Sequence, residues 1–414
     1  MNLRNEKRVP SALPLKGIVA IALFLSILQG CGPNATEMAA QHAVVAYFAG
    51  DFPQAVDRLR PLDAATDENF VLNNCRLGSS ALAENDLDTA EGAFLNAYEV
   101  MNSVGVNEGG RLVGTVLVDE KIKIWKGEPY ERAMANFYLG LIYYMRHDYN
   151  NARAAFENAL FKLQDYSDAN DKQEDNRRVE SNFALASVML GRCWQRLGRD
   201  ELARAQFARA IELHGWLAPL VDERLNRESN VLLVVDFGRG PRKLKNFDGA
   251  IVGLGPTPEQ EGPLPEPDVR VDGKLFPLDG VNRPPVDLLA LAQDRRWQSI
   301  DTIRTVKSAL GTGLIAAGAI DSATDDRNRR AGTDLALIGA GLLLKATSQA
   351  DIRQWEMLPR TVFVLPLKLP PGKHDITARF PAMPELSQSW RDLVVPEEGE
   401  ATYYAHLQPY DRRY

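Results

Sequence analysis

FYLGLIYYMRHDYNNARAAFENAL, residues 137–160, decides the fold. It places Gly140, Tyr143, Ala152, Phe156 and Ala159 at successive offsets of 3, 9, 4 and 3. MLGRCWQRLGRDELARAQFARAI, residues 189–211, repeats those offsets with Gly191, Trp194, Ala203, Phe207 and Ala210. Gly78, Ala81, Ala90, Phe94 and Ala97 repeat them again, and Ala43, Ala46, Ala55, Leu59 and Leu62 form a degenerate first copy. Each copy is a pair of amphipathic helices broken at a polar turn, such as Arg146-His147-Asp148 or Glu84-Asn85-Asp86. Self-similarity on this scale marks a repeat architecture.

The spacing has a mechanical reason. Small residues at Gly140 and Ala152 let two helices of a pair approach closely, and Phe156 is expected to fill the space between that pair and the next. The pattern resembles the tetratricopeptide repeat over about residues 36–215, with three of four copies matching at all five positions. The resemblance implies an α-solenoid whose first helices line a concave face. Repeat geometry puts Met134, Phe137, Leu141, Tyr144 and Met145 on that face in the third copy, and Arg192, Gln195 and Arg196 in the fourth. Aromatic and Met side chains beside basic ones suit a groove for a protein or peptide partner. The C-terminal half of the chain could equally fill it.

Two inserts interrupt the solenoid, near 103–130 and 164–180. NEGGRLVGTVLVDEKIKIWKGEPYER (107–132) holds two strand-like stretches, RLVGTVLV and KIKIW, with Asp119-Glu120 between them, which predicts a projecting hairpin. Glu131 then sits where a carboxylate favours a helix start. Glu128 and Glu131 could form an acid–base pair, but no histidine or nucleophile accompanies them and helix capping explains both. DYSDANDKQEDNRR (165–178) reads as a polar loop.

After residue 228 the composition changes. NVLLVVDFGRGPRK (230–243) is an apolar strand running into a turn, and GRGPRK lacks the spacing of a phosphate-binding loop. GLGPTPEQEGPLPEP (253–267) is a Pro-rich acidic loop, and DVRVDGKLFPL (268–278) alternates around the tight-turn pair Asp272-Gly273. Residues 229–300 are therefore expected as a β-rich module. SALGTGLIAAGAI (308–320) and TDLALIGAGLLLKA (333–346) read as two Gly-rich helices making a hairpin over 301–350. Their uncharged runs, 309–320 and 335–344, are 12 and 10 residues long, too short to span a bilayer. The hairpin is either buried against the β modules or inserts into a membrane or a partner. Asp351, Arg353 and Trp355 read as a junction, with ligand contact as the alternative. TVFVLPLKL, DITARF and ATYYAHL are strands of a closing module over 351–414. LPPGKHDITARF (369–380) resembles, over a short stretch, the small β-sandwich modules of PEGA type.

Arg4, Lys7, Arg8 and Lys16 precede an uncharged, mostly apolar run, Gly17 to Ile27, which suits a secretory signal. Leu28-Gln29-Gly30-Cys31 resembles the lipobox of bacterial lipoproteins, with Gln29 a slight departure. The resemblance implies cleavage before Cys31 and acylation of that cysteine, stable anchoring by several chains, and, because Gly32 is not Asp, the outer membrane. The leader 1–30 carries +3 of the chain's net −7, which leaves −10 for residues 31–414. Such a balance gives no electrostatic footprint for nucleic acid. Cys75 and Cys193, the other two cysteines, read as buried free thiols rather than a disulfide framework.

The sequence thus predicts an α+β chain: a tetratricopeptide-like α-solenoid over 31–228, then a β-rich C-terminal region with a Gly-rich helical hairpin. No nucleophile elbow, phosphate cradle or paired metal-binding histidines occur, and the five histidines are scattered, so no catalytic residue, metal or cofactor is assigned. The whole pattern, including GEPYER before the third copy and the junction Arg353–Arg360, resembles a family of poorly characterised bacterial outer-membrane lipoproteins. The expectation is a lipid-anchored, periplasm-facing scaffold for a protein or peptide. A cell-envelope assembly factor (peptidoglycan, surface polysaccharide or secretion) and an enzyme acting on envelope glycan or peptide are the alternatives.

Overall fold

A computed structural model of the protein describes residues 35–65, 67–102, 124–165, 182–221, 229–246, 251–255, 264–293 and 352–408, with strand pieces at 112–113, 116–117 and 179–180. The leader, Cys31, the loop 166–178, the Gly-rich segment 301–350 and Asp351 lie outside the described residues.

Four helical hairpins follow one another: α1 (Ala35–Phe48) with α2 (Phe52–Leu59), α3 (Phe70–Glu84) with α4 (Leu87–Asn102), α5 (Pro129–Met145) with α6 (Tyr149–Phe161), and α7 (Ala184–Arg196) with α8 (Asp200–Leu213). The repeated glycine is demanded by the repeated phenylalanine. A Cβ on Gly140 would stand 2.8 Å from the Phe156 ring, on Gly78 2.7 Å from Phe94, and on Gly191 2.5 Å from Phe207. Phe156 therefore lies against its own hairpin partner, rather than only between neighbouring pairs as the spacing suggested. The first copy has Ala43 in place of the glycine and the smaller, aliphatic Leu59 in place of the phenylalanine.

Every tight turn is built alike. Gly50, Asn85, His147 and Gly198 take positive φ just beyond the first helix of each hairpin, the left-handed step that ends a helix. The polar residue after it caps the next helix in three copies: Gln54 N donates to Asp51 Oδ1, Thr89 N to Asp86 Oδ1, and Asn151 N to Asp148 Oδ1. At α5 the expected capping is present as a reciprocal box between Glu128 and Glu131. The preceding insert turns differently from expectation. Strands β1 (Leu112–Val113) and β2 (Val116–Leu117), both inside RLVGTVLV, pair with each other, and Ile124 and Trp125 of KIKIW are buried. Two-residue strands β3 (Gln164–Asp165) and β4 (Val179–Glu180) pair across the foot of the second insert.

The stretches expected as separate modules interleave. β5 (Val231–Phe237) lies between β10 (Thr361–Leu367), antiparallel, and β13 (Ala401–Leu407), parallel. β8 (Asp268–Val271) and β9 (Lys274–Phe276) extend a second, antiparallel sheet of order β12-β11-β8-β9, with β11 (Gly372–Phe380) and β12 (Met383–Val395). Asp272 and Gly273 both take positive φ between β8 and β9, the backbone that this turn pair favours. β6 (Arg242–Asn246) and β7 (Ile251–Gly255) form a separate hairpin, and α9 (Leu288–Ala292) is capped by Asp287.

The three-stranded sheet is the middle of three layers. Phe237 meets Phe380 of the second sheet at 4.3 Å between ring centroids, while Asp236 and Tyr404 turn to the helices. This explains why VLLVVDF shows no alternation: all seven residues are buried, on both faces. Pro366 is tolerated because β10 is an edge strand.

Candidate functional site

The concave face of the solenoid is closed by the chain's own C-terminal region. Three polar clusters hold the closure. At the α5–α7 end, the Glu400 carboxylate is fully buried and accepts from Tyr144 Oη at 2.6 Å, Arg192 Nη2 at 2.5 Å and Arg196 Nη2 at 2.8 Å. Arg192 also donates to Ser229 at the start of the β region. Burial pushes the Glu400 carboxyl up, but the two guanidiniums and their hydrogen bonds more than reverse this and hold it below the usual carboxylate range.

In the middle, Asp236 Oδ2 accepts from Tyr138 Oη at 2.5 Å and Tyr404 Oη at 2.8 Å. Burial, then the Asp236 charge, pushes both phenols well above their ordinary range. His406 Nδ1 stands 3.8 Å from Asp236 Oδ2, beyond hydrogen-bond reach, and its ring packs on Tyr47 at 4.9 Å. At the start of α5, Trp355 N donates to Glu131 Oε1 at 2.7 Å while its indole N–H donates to Ser79 Oγ. Glu131 Oε2 accepts from Glu128 N at 2.7 Å, and Lys243 Nζ lies 2.6 Å from Glu128 Oε1. Burial raises Glu131 to about 7, with Lys243 and the two N–H donors opposing and Glu128 adding to the rise.

The residues expected to bind a partner are therefore interior. Met134, Phe137, Leu141 and Tyr144 are fully buried, Arg192 is buried, and Met145, Gln195 and Arg196 are half-buried. Phe137 packs among Phe156, Phe183 and Tyr138, within and between hairpins, so it lies beneath the concave face rather than on it. The residues that do face inward include Ser79, Glu131, Tyr138 and Tyr144, and each meets the C-terminal region. Arg353 and Trp355 form the expected junction. Arg353 Nη1 donates to Glu68 O, and its carbonyl accepts from Trp125 Nε1. The Asp–Tyr–His cluster joins residues of both halves, as an active site of the enzyme reading would, but its side chains are sealed between layers. Among the described residues no group of three His, Cys, Asp or Glu side chains could hold a metal ion.

An open cleft of about 850 Å³ remains between α1, the start of α3 and the segment 352–356. Gln41, Asn69, Asn73 and Gln354 give it amides, and Glu37, Glu68 and Arg353 give it charges. The ion pair Arg76–Glu356, at 2.5 Å, closes one side.

Such a body is an α-hairpin repeat closed on its concave side by a β region of the same chain. No family model matches the chain, and no curated protein is similar to it. Solved structures show a partial likeness. MamA is 18% identical with a TM-score of 0.31, over 48% of this chain and 89% of that one. A second form, MamA AMB-1, is 16% identical with a TM-score of 0.30, over 48% and 92%. BtubC (BKLC) from P. vanneervenii is 16% identical with a TM-score of 0.32, over 48% and 72%. Scores this low carry no argument about what the chain does.

Proposed function

We propose that the protein is a scaffold, lipid-anchored through Cys31 at the outer membrane and facing the periplasm, which engages a protein or peptide partner through the open cleft. One observation carries this reading: the concave groove is filled by the chain itself, while the cleft between α1 and residues 352–356 is open. Displacing the filling would break three buried polar clusters and expose an apolar sheet, so the groove is a permanent joint. Amide side chains offer both donors and acceptors, which suits the backbone of an extended peptide segment. Work in envelope assembly is compatible with this role.

Photo-crosslinking in living cells tests it. A crosslinking residue at Gln41 is expected to give one dominant protein adduct that an equivalent at exposed Leu202 does not give. A crosslinker at Tyr144 is expected to react only within the chain, near Glu400. Adducts to a second protein from Tyr144 would reopen the groove and overturn the reading. So would a Gln41 pattern indistinguishable from that of Leu202.

A further inference from the structure

Three of the side-chain amides around the open cleft have their oxygens occupied from within the protein. Asn73 Oδ1 accepts from Arg76 Nη1 at 3.1 Å, Asn69 Oδ1 from Arg353 Nη1 at 3.3 Å, and Gln354 Oε1 from Lys243 N at 2.6 Å. Each oxygen so fixed leaves the NH2 group of the amide over, and among the described residues none of the three groups finds an acceptor. Asn73 matters most, because it is only 1% exposed. A donor so deeply buried is ordinarily satisfied. Here it lines a cleft open to solvent, where a ligand oxygen has access to it.

The charges around the same cleft are unbalanced. Four carboxylates, Glu37, Asp67, Glu68 and Glu356, stand against two guanidiniums, Arg76 and Arg353. Arg76 is engaged with Glu356 through two nitrogens, at 3.0 and 2.5 Å, and Arg353 Nη1 donates to Glu68 O. Glu37 and Glu68 are exposed, and their carboxylates have no cationic partner among the described residues. The buried donor therefore lies on the floor of the cleft and the unpaired acids at its mouth. An anionic ligand would satisfy the floor but be repelled at the mouth, and a polyamine would do the reverse. Sugar hydroxyls supply acceptors but no cation. An extended peptide with a basic side chain supplies carbonyl oxygens for the floor and a cation for the mouth. The volume of about 850 Å³ lies in the range of sites that enclose ligands of a few residues' size.

We propose that the cleft recognises an extended, basic peptide segment, with backbone carbonyls taken by the amides of Asn73, Asn69 and Gln354 and a Lys or Arg side chain held by Glu37 and Glu68. The inference rests on the reading of the cleft as the partner site and adds the chemistry of the partner. Water satisfies the Asn73 amide between encounters, and a carbonyl oxygen replaces it on binding. The floor then supplies affinity that does not depend on the side chains of the peptide. The mouth supplies a preference for cations, and that preference weakens with salt because exposed charges are screened.

The test applies the full chain, in mild detergent and detected by antibody, to an array of random hexapeptides whose third residue is fixed as Lys, Arg, Gln or Glu. The Lys and Arg sets are expected to retain about two- to five-fold more protein than the Gln set, and the Glu set the least. Glu37→Gln combined with Glu68→Gln should erase that preference without loss on the Gln set. Gln354→Glu keeps the oxygen that accepts from Lys243 N and replaces only the NH2 group, so retention on the Gln set should fall about ten-fold. Circular dichroism establishes that each variant is folded. Retention indifferent to the fixed residue, but lowered by Gln354→Glu, would overturn the basic preference and leave the cleft as a peptide site. Retention unchanged by every substitution would place the peptides elsewhere and overturn the inference. No retention on any set, with a Gln41 crosslinker still trapping one protein in cells, would overturn the peptide chemistry and leave the partner site standing. Failure of both would overturn both.

Discussion

Glu400→Gln tests the closure of the groove most directly. The carboxylate is fully buried and faces two guanidiniums, with Arg192 itself only 3% exposed. Glutamine keeps the shape and one acceptor but removes the charge. Two cations are then held together without a counter-ion, one of them away from water. Breaking a buried ion pair by removing one partner costs about 3–5 kcal/mol. Arg146→Ala is the control, because Arg146 is paired with Asp88 and, at 3.0 Å, with Glu91 on the exposed tight-turn edge. Solvent screening limits that loss to about 1 kcal/mol or less. Urea unfolding followed by circular dichroism measures both, with an unchanged slope expected. A Glu400→Gln loss as small as the control's would mean that water reaches Glu400. The joint between solenoid and sheet would then be loose, and the claim that the groove is permanently filled would fail.

Other perturbations probe the remaining joints. Gly140→Ala should cost about 1–3 kcal/mol through overpacking against Phe156, and less when Phe156→Leu is already present; equal costs in both backgrounds would break the proposed link between the repeat's glycine and phenylalanine. Glu131 is ionised in the unfolded chain above about 4.5 but held to about 7 when folded, so the folded form binds the extra proton and stability should fall as pH rises from about 4.5 to about 7. Glu400 works oppositely: its folded value lies below 4.5, so its contribution is present above that pH and is lost as pH falls through the folded value. Urea midpoints across pH 3–8 should therefore peak near 4.5–5 from these two groups, and Glu131→Gln should flatten the upper slope; a wild-type curve flat above 5 would refute the Glu131 assignment. Burial raises both Cys75 and Cys193 thiols well above their usual range, so Ellman's reagent should modify them only at the rate of unfolding, and rapid labelling of the native protein would contradict the packing.

The hairpins were legible because their determinants are local. Gly140 and Phe156, Asp148 and Asn151, Glu128 and Glu131 are each close in sequence and act through helix geometry or capping. The sheet was legible only in pieces. VLLVVDF, TVFVLPL and ATYYAHL each read as a strand, but β5 pairs with β10 and β13 across more than a hundred residues, and periodicity carries no information about such pairing. The two modules therefore looked separate. The insert hairpin differs for a related reason: KIKIW alternates well, yet its Trp125 bonds to the distant carbonyls of Glu68 and Arg353.

The filled groove did leave a trace in the sequence. Asp236 is the sole charge in VLLVVDF, and a charge inside a strand buried on both faces must have a partner. Glu400, placed directly before ATYYAHL, repeats the signal. On the helices, Ser79, Tyr138 and Tyr144 put hydroxyls on the face that meets the C-terminal region, Glu131 puts a carboxylate there, and Arg192 and Arg196 put guanidiniums. A groove kept for exchangeable partners gains from donors that water can satisfy between binding events. Here the two tyrosine hydroxyls have no water to return to, and their carboxylate acceptors lie in the C-terminal strands or directly before them. Buried hydroxyls paired with buried carboxylates across the interface mark a covalently guaranteed occupant. That is why the same aromatic stripe that resembles a docking groove serves here as an internal joint, and why partner contacts are to be sought at the edge.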